Sequence, residues 1–141
     1  MTPEQTQIIK LTFAQVMRDK DKVGRMFYDR LFTIAPEVKP LFKGDIAAQS
    51  RKLMDTLALA VGMLRDMPTL IITLEGLAQR HVGYGVTDEH YDKVGEALLW
   101  TLEKGLADAF TPQVRDAWTA LYAAVAQIMR AAAKDNSAAV A

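Results

Sequence analysis

The chain has 141 residues, half of them hydrophobic, with 17 Lys and Arg balanced by 17 Asp and Glu, two histidines and no cysteine. This is the length of one ordinary domain; the scattered, neutral charge offers no basic stripe to nucleic acid, and the missing thiols exclude disulfides, thiolate metal sites and cysteine nucleophiles. The opening MTPEQTQIIK lacks a basic flank followed by an apolar run, and charge-free stretches such as Ala117 to Met129 are too short for a bilayer, so a cytoplasmic protein without membrane insertion is expected.

Apolar residues recur three and four apart along the chain, with no period-two strand, internal repeat or long linker, which predicts one all-α domain over residues 1–134. Thr2-Pro3-Glu4-Gln5 supplies a capping hydroxyl, a proline at the first helical position and an amide three residues on, opening a helix that buries Ile9, Phe13 and Val16. A second helix, from about Asp21 to Ile34, puts Val23, Phe27, Leu31 and Ile34 on one stripe. Gly24 inside it costs roughly 0.5 to 1 kcal/mol relative to alanine, which implies close approach of another backbone. Pro36 and Pro40 allow only a short turn of helix, and Lys43-Gly44-Asp45 makes a tight connection.

A third helix, from about Ile46 to Leu64, carries Gln49, Leu53, Leu57, Ala60 and Leu64 on its inward face, which thus begins with a polar amide. Pro68 restarts the chain as a helix in which Leu70, Leu74, Leu77 and His81 share a stripe, and Gly83 and Gly85 end it. His81 therefore points where leucines point. Thr87, with Asp88 and Glu89, caps a helix whose inward residues are Tyr91, Val94, Leu98 and Leu102. Thr111-Pro112 opens the last helix, which buries Val114, Trp118, Leu121, Val125 and Ile128; the alanine-rich end, 135–141, is expected to fray.

The chain has no G-x-x-x-x-G-K-[ST], H-E-x-x-H, G-x-S-x-G or strand-linked G-x-G-x-x-G. His90 beside Asp88, Glu89 and Asp92 makes a weak metal pattern, and acidic residues in a helix's first turn already have a capping role. By itself, His81 fits a buried histidine satisfied by a backbone carbonyl better than it fits a ligand. Tyr28 and Gln49 taken alone read as ordinary helix-surface residues, and Phe42 as a core aromatic.

The surrounding segments bear on that choice. Phe27-Tyr28-Asp29-Arg30-Leu31-Phe32 and Ala35-Pro36-Glu37-Val38-Lys39-Pro40-Leu41-Phe42 resemble the second helix and first corner of bacterial haemoglobins and of the haem domain of flavohaemoglobins. Leu77-Ala78-Gln79-Arg80-His81, Tyr91 to Leu99 and Asp116-Ala117-Trp118 resemble their proximal and last two helices, in order and at compatible spacing. Gln49 to Met54 resembles the distal helix of compact single-domain members. The likeness runs from about residue 3 to residue 130 and implies a globin fold: a three-on-three sandwich of about seven helices, with no separate helix between Phe42 and Gln49.

The same resemblance implies haem b (iron protoporphyrin IX), held without covalent attachment because no cysteine is present, with His81 as the iron's ligand. It makes Tyr28 and Gln49 distal hydrogen-bond donors to a diatomic ligand, Leu53 their apolar companion, and Phe42 a ring packed on the haem face. Gly24 and Ser50 match the place where the second and third helices cross. Lys52 or Arg51 is a candidate partner for a propionate. Tyr91 matches a tyrosine that, in the flavohaemoglobin-like group, joins the axial histidine to a glutamate of the last helix; this chain offers Asp135 there. Three functions compete. The first is reversible binding of O2, NO or CO. The second is nitric oxide dioxygenase or peroxidase-like activity served by a separate reductase, since flavin and nicotinamide domains are not expected in this chain. The third is a haem-free regulatory domain, which the joint presence of His81, Tyr28, Gln49 and Phe42 disfavours.

Overall fold

In the computed structural model the described residues are 1–83 and 85–140, the side chains of 135–140 excepted. Among the described residues there are six α-helices: α1 (Pro3–Met17), α2 (Lys20–Ile34), α3 (Ile46–Gly62), α4 (Met67–Gly83), α5 (Asp88–Leu106) and α6 (Pro112–Val140). A 3-10 helix, Pro36–Leu41, stands as the seventh, and a 3-10 turn, Ala107–Ala109, links α5 to α6. No helix lies between Phe42 and Ile46. No described helix is long and apolar enough to cross a membrane.

The helix starts follow their capping chemistry. Thr2 Oγ1 accepts from the Gln5 N–H at 3.1 Å while Gln5 Oε1 accepts from the Thr2 N–H at 3.0 Å, closing the reciprocal box expected of T-P-E-Q. Asp66 accepts from the Thr69 hydroxyl at 2.7 Å and from its N–H at 3.4 Å, so α4 begins at Met67, one residue before the proline. The end of α3 falls at Gly62, two residues earlier than the periodicity predicts. There the Met63 N–H is shared between Leu59 and Ala60 and the Leu64 N–H turns to Val61, a 3-10 tightening of the last turn.

Two layers result. In one, α2 packs on α5 and α5 on α6; in the other, α1 and α4 lie on α6 while α3 lies on α2 and α1. The core between them contains Ile9, Phe13, Phe27, Leu31, Met54, Leu74, Leu102 and Trp118, all buried. Trp118 Nε1 donates to Thr12 Oγ1 at 2.9 Å, which ties α6 to α1 through a bond that leaves neither polar group bare. Consecutive helices α3 and α4 take different partners and do not pack extensively on one another.

The predicted inward stripes need one adjustment. On α3 the buried residues are Ser50, Met54 and Val61, whereas Gln49, Leu53, Leu57 and Ala60 are half-buried. On α4, Leu70, Leu74 and Ala78 are buried and Leu77 and His81 half-buried. The reason is packing: Ser50 and Met54 meet α2 at Gly24, which leaves the neighbouring stripe at the edge of the contact. On α6, Ala126 and Met129 are buried more deeply than Val125 and Ile128.

Gly24 is where α2 and α3 touch. A Cβ built there would stand 3.0 Å from Ser50 Cβ and 3.1 Å from the Ser50 carbonyl oxygen, and backbone cannot step aside cheaply. Gly24→Ala is therefore expected to lower stability by about 1 to 3 kcal/mol in urea unfolding, although alanine is the better helix former. Ala107, at the end of α5, has φ +50° and is the only non-glycine with positive φ among the described residues. Ala107→Gly is expected to stabilise by about 1 kcal/mol, read as a higher denaturant midpoint at unchanged slope.

Candidate functional site

α2 presents Tyr28 on its buried side, 4% exposed, among other rings. Phe27 meets it edge-on with centroids 5.0 Å apart, Phe42 edge-on at 5.3 Å, and Phe32 tilted at 5.9 Å. Phe42 arrives from the far side of the 3-10 helix, whose two prolines fold the chain back toward α2. From α3, Gln49 Nε2 donates to the Tyr28 phenol oxygen at 3.3 Å. Burial pushes the Tyr28 pKa above its usual value, an effect the Gln49 bond partly offsets, so the phenol keeps its proton at neutral pH. Tyr28, Gln49 and Phe42 are thus brought together.

Leu53 and Leu57 follow Gln49 along α3 and, with Phe27, Met54 and Leu98, border an apolar cavity of about 10 Å³. At that size and polarity it stays dry. Lys52 and Arg51 are exposed on α3, and no contact joins them to the other candidates.

His81, on α4, places Nδ1 2.9 Å from the Leu77 carbonyl oxygen. Because a carbonyl only accepts, Nδ1 carries the proton and Nε2 is the basic nitrogen. Burial holds the imidazole pKa below its ordinary value; the Leu77 bond raises it somewhat and the Arg80 charge lowers it, and the neutral form results. A neutral imidazole with fixed tautomer and ring orientation is suited to holding a metal through Nε2.

Tyr91 is buried near the start of α5. The group lying over its ring from α6 is the Arg130 guanidinium, 5.5 Å from the centroid. Arg130 donates to the Asp92 carboxylate at 2.7 Å and to the Asp88 carbonyl at 3.0 Å, and the Tyr122 hydroxyl donates to the Tyr91 carbonyl. Sequence reasoning missed this cation. The Asp135 side chain, named as the α6 carboxylate, lies outside the described residues. At the start of α5, His90 Nδ1 accepts from the Thr87 N–H at 3.0 Å, a capping contact. Among the described residues no group of three or more His, Asp or Glu could hold a metal ion. The candidate residues thus form two groups, the Tyr28–Gln49–Phe42 cluster of α2, α3 and the intervening turn, and the His81 imidazole oriented on α4.

Known proteins share the sequence pattern and the fold. The chain is 33% identical over 131 residues to the flavohemoprotein of Vibrio cholerae and 33% identical over 133 residues to that of Deinococcus radiodurans. The alignments take in 91% and 92% of this chain but 33% of each relative, so the chain spans about a third of their length. A bacterial globin from Campylobacter jejuni superposes with a TM-score of 0.83 at 26% identity, covering 96% of this chain and 99% of that one. A hexacoordinated heme protein from an anhydrobiotic tardigrade shares the fold, with a TM-score of 0.86 at 16% identity over 95% of this chain and 96% of its own. The family model for Globin matches residues 25–129, well over half of the sequence, and on that match the chain belongs to the globin family.

Proposed function

We propose that this globin binds one non-covalent haem b between α3 and α4 and uses it to take up O2, and also CO and NO, reversibly. The observation that carries the proposal is the pairing of a neutral His81, oriented by the Leu77 carbonyl, with a protonated Tyr28 bonded to Gln49. The residues present fit the group. Leu53, Leu57, Leu77 and Val94 are half-buried apolar side chains of the kind a porphyrin would cover, and Phe42 adds a ring for its face. Lys52, at the exposed edge of α3, is placed in this reading at the rim as a propionate partner.

A bound haem would supply an iron able to take up a diatomic gas. His81 would hold the iron through Nε2, while its Nδ1–H to the Leu77 carbonyl restrains the ring from turning. Gln49 donates to the phenol oxygen, which leaves the Tyr28 proton to be given to a ligand that takes on negative charge, as O2 does. The packed rings around Tyr28 keep water from competing for that proton.

A second reading, nitric oxide dioxygenase or peroxidase-like activity with a separate reductase, draws support from the flavohemoprotein relatives, whose name pairs a flavin with a haem. The described α6 group over the Tyr91 ring is the Arg130 guanidinium. The experiment is NADH-driven loss of NO by the haem-loaded protein with and without added reductase, beside an O2 equilibrium curve. Reversible O2 uptake with no accelerated NO loss is expected; NO loss that turns over with the reductase would replace binding by catalysis as the function.

A further inference from the structure

Tyr28 and Phe32 stand one turn apart on α2, and the 3-10 helix Pro36–Leu41 returns Phe42 to both of them. The three rings close a triangle: Tyr28 to Phe42 is 5.3 Å, Phe32 to Phe42 is 5.5 Å and Tyr28 to Phe32 is 5.9 Å between centroids. Phe32 is half-buried, and Lys39 Nζ lies 6.0 Å over its ring. The polar hold on the phenol, at 3.3 Å from Gln49, is long for a hydrogen bond. Ring packing therefore sets where the Tyr28 hydroxyl sits, and Phe32 touches both rings that matter.

We propose that Phe32 is a positioning residue: it fixes the Tyr28 ring against Phe42 and so sets how fast a hydrogen-bonded gas ligand leaves. The proposal rests on the reading of Tyr28 as the donor. With the Phe32 ring gone, Tyr28 and Phe42 lose a shared neighbour, the hydroxyl samples a wider arc, and its bond to the ligand weakens without any change in His81. Phe32 acts only through Tyr28, which separates positioning from simple loss of stability.

The test is a double-mutant cycle on the haem-loaded protein, reading the O2 dissociation rate by stopped flow and the C–O stretching frequency after CO addition. Phe32→Leu is expected to speed O2 release about three- to ten-fold and to broaden or shift the C–O band, at unchanged haem content. Phe32→Tyr, which keeps the ring and can place its hydroxyl in solvent, restores the parent rate. In a Tyr28→Phe background, Phe32→Leu changes the rate less than about two-fold. Phe32→Met is read in the same way if Phe32→Leu does not fold. An unchanged rate and band in Phe32→Leu, or an equal acceleration with and without the Tyr28 hydroxyl, overturns the proposal while leaving the donor reading intact. A Tyr28→Phe variant that releases O2 at the parent rate overturns both, by a result that Phe32 alone cannot produce.

Discussion

Replacing His81 by alanine is expected to abolish stable haem retention while leaving the helical fold in place. The side chain is half-buried, and its Nδ1 bond to the Leu77 carbonyl lies within α4. Leu70, Leu74 and Ala78 are buried on the same helix and keep α4 anchored on the core. Changing residues that merely orient a metal ligand costs ~10- to 100-fold in affinity, so deleting the ligand itself costs at least ~100-fold. Haem stoichiometry after gel filtration reads this directly, and added imidazole should restore part of the bound haem by occupying the space left behind. A variant that keeps one haem per chain with an unshifted spectrum would contradict the assignment of His81.

The second large effect is expected for Tyr28→Phe. The phenylalanine keeps the edge-on contacts at 5.0 and 5.3 Å and the tilted contact at 5.9 Å, so the ring cluster survives and only the hydroxyl goes. A hydrogen bond made inside a water-poor pocket to a ligand carrying negative charge contributes about 1.5 to 3 kcal/mol, which corresponds to roughly 10- to 100-fold faster O2 release. CO takes on less charge and serves as the control, its release changing far less. Gln49 enters the same measurement. In the variant its amide has no phenol oxygen to donate to and can turn to the ligand, so the observed loss is a lower bound on what Tyr28 supplies.

Much of the architecture was legible before any coordinates. Thr2, Thr87 and Thr111 mark three helix starts because a short hydroxyl before a helix has one good use for its lone pairs. Gly24 announced a helix crossing because a glycine inside a helix needs a reason, and Ser50 is the residue it meets. His81 was visible as a polar residue on an apolar stripe, but its role came from the resemblance, since spacing alone allowed a carbonyl-bonded core histidine. The structure contains that bond too, which shows why spacing could not decide: a histidine oriented by Leu77 satisfies both descriptions.

Other features depend on contacts between distant segments. The stripe Gln49-Leu53-Leu57 read as fully inward is half-buried, because burial on α3 depends on where α2 presses and that crossing angle leaves no trace in a single helix's periodicity. Arg130 over Tyr91 was hidden for the same reason. A basic residue on a late, alanine-rich helix looks solvated until Asp92 and Asp88 are seen to hold its guanidinium in place. The ring triangle was half legible: Phe32 follows Tyr28 by one helical turn, but only the fold of the 3-10 helix brings Phe42 to both.

The most direct test of the central claim is a titration of the purified, haem-free chain with haem, followed by reduction and exposure to CO while the Soret band is recorded. Saturation at one haem per chain, with a band that shifts on CO addition and does not form in His81→Ala, is the predicted result. A protein that takes up no haem, or takes it up equally well without His81, would contradict it.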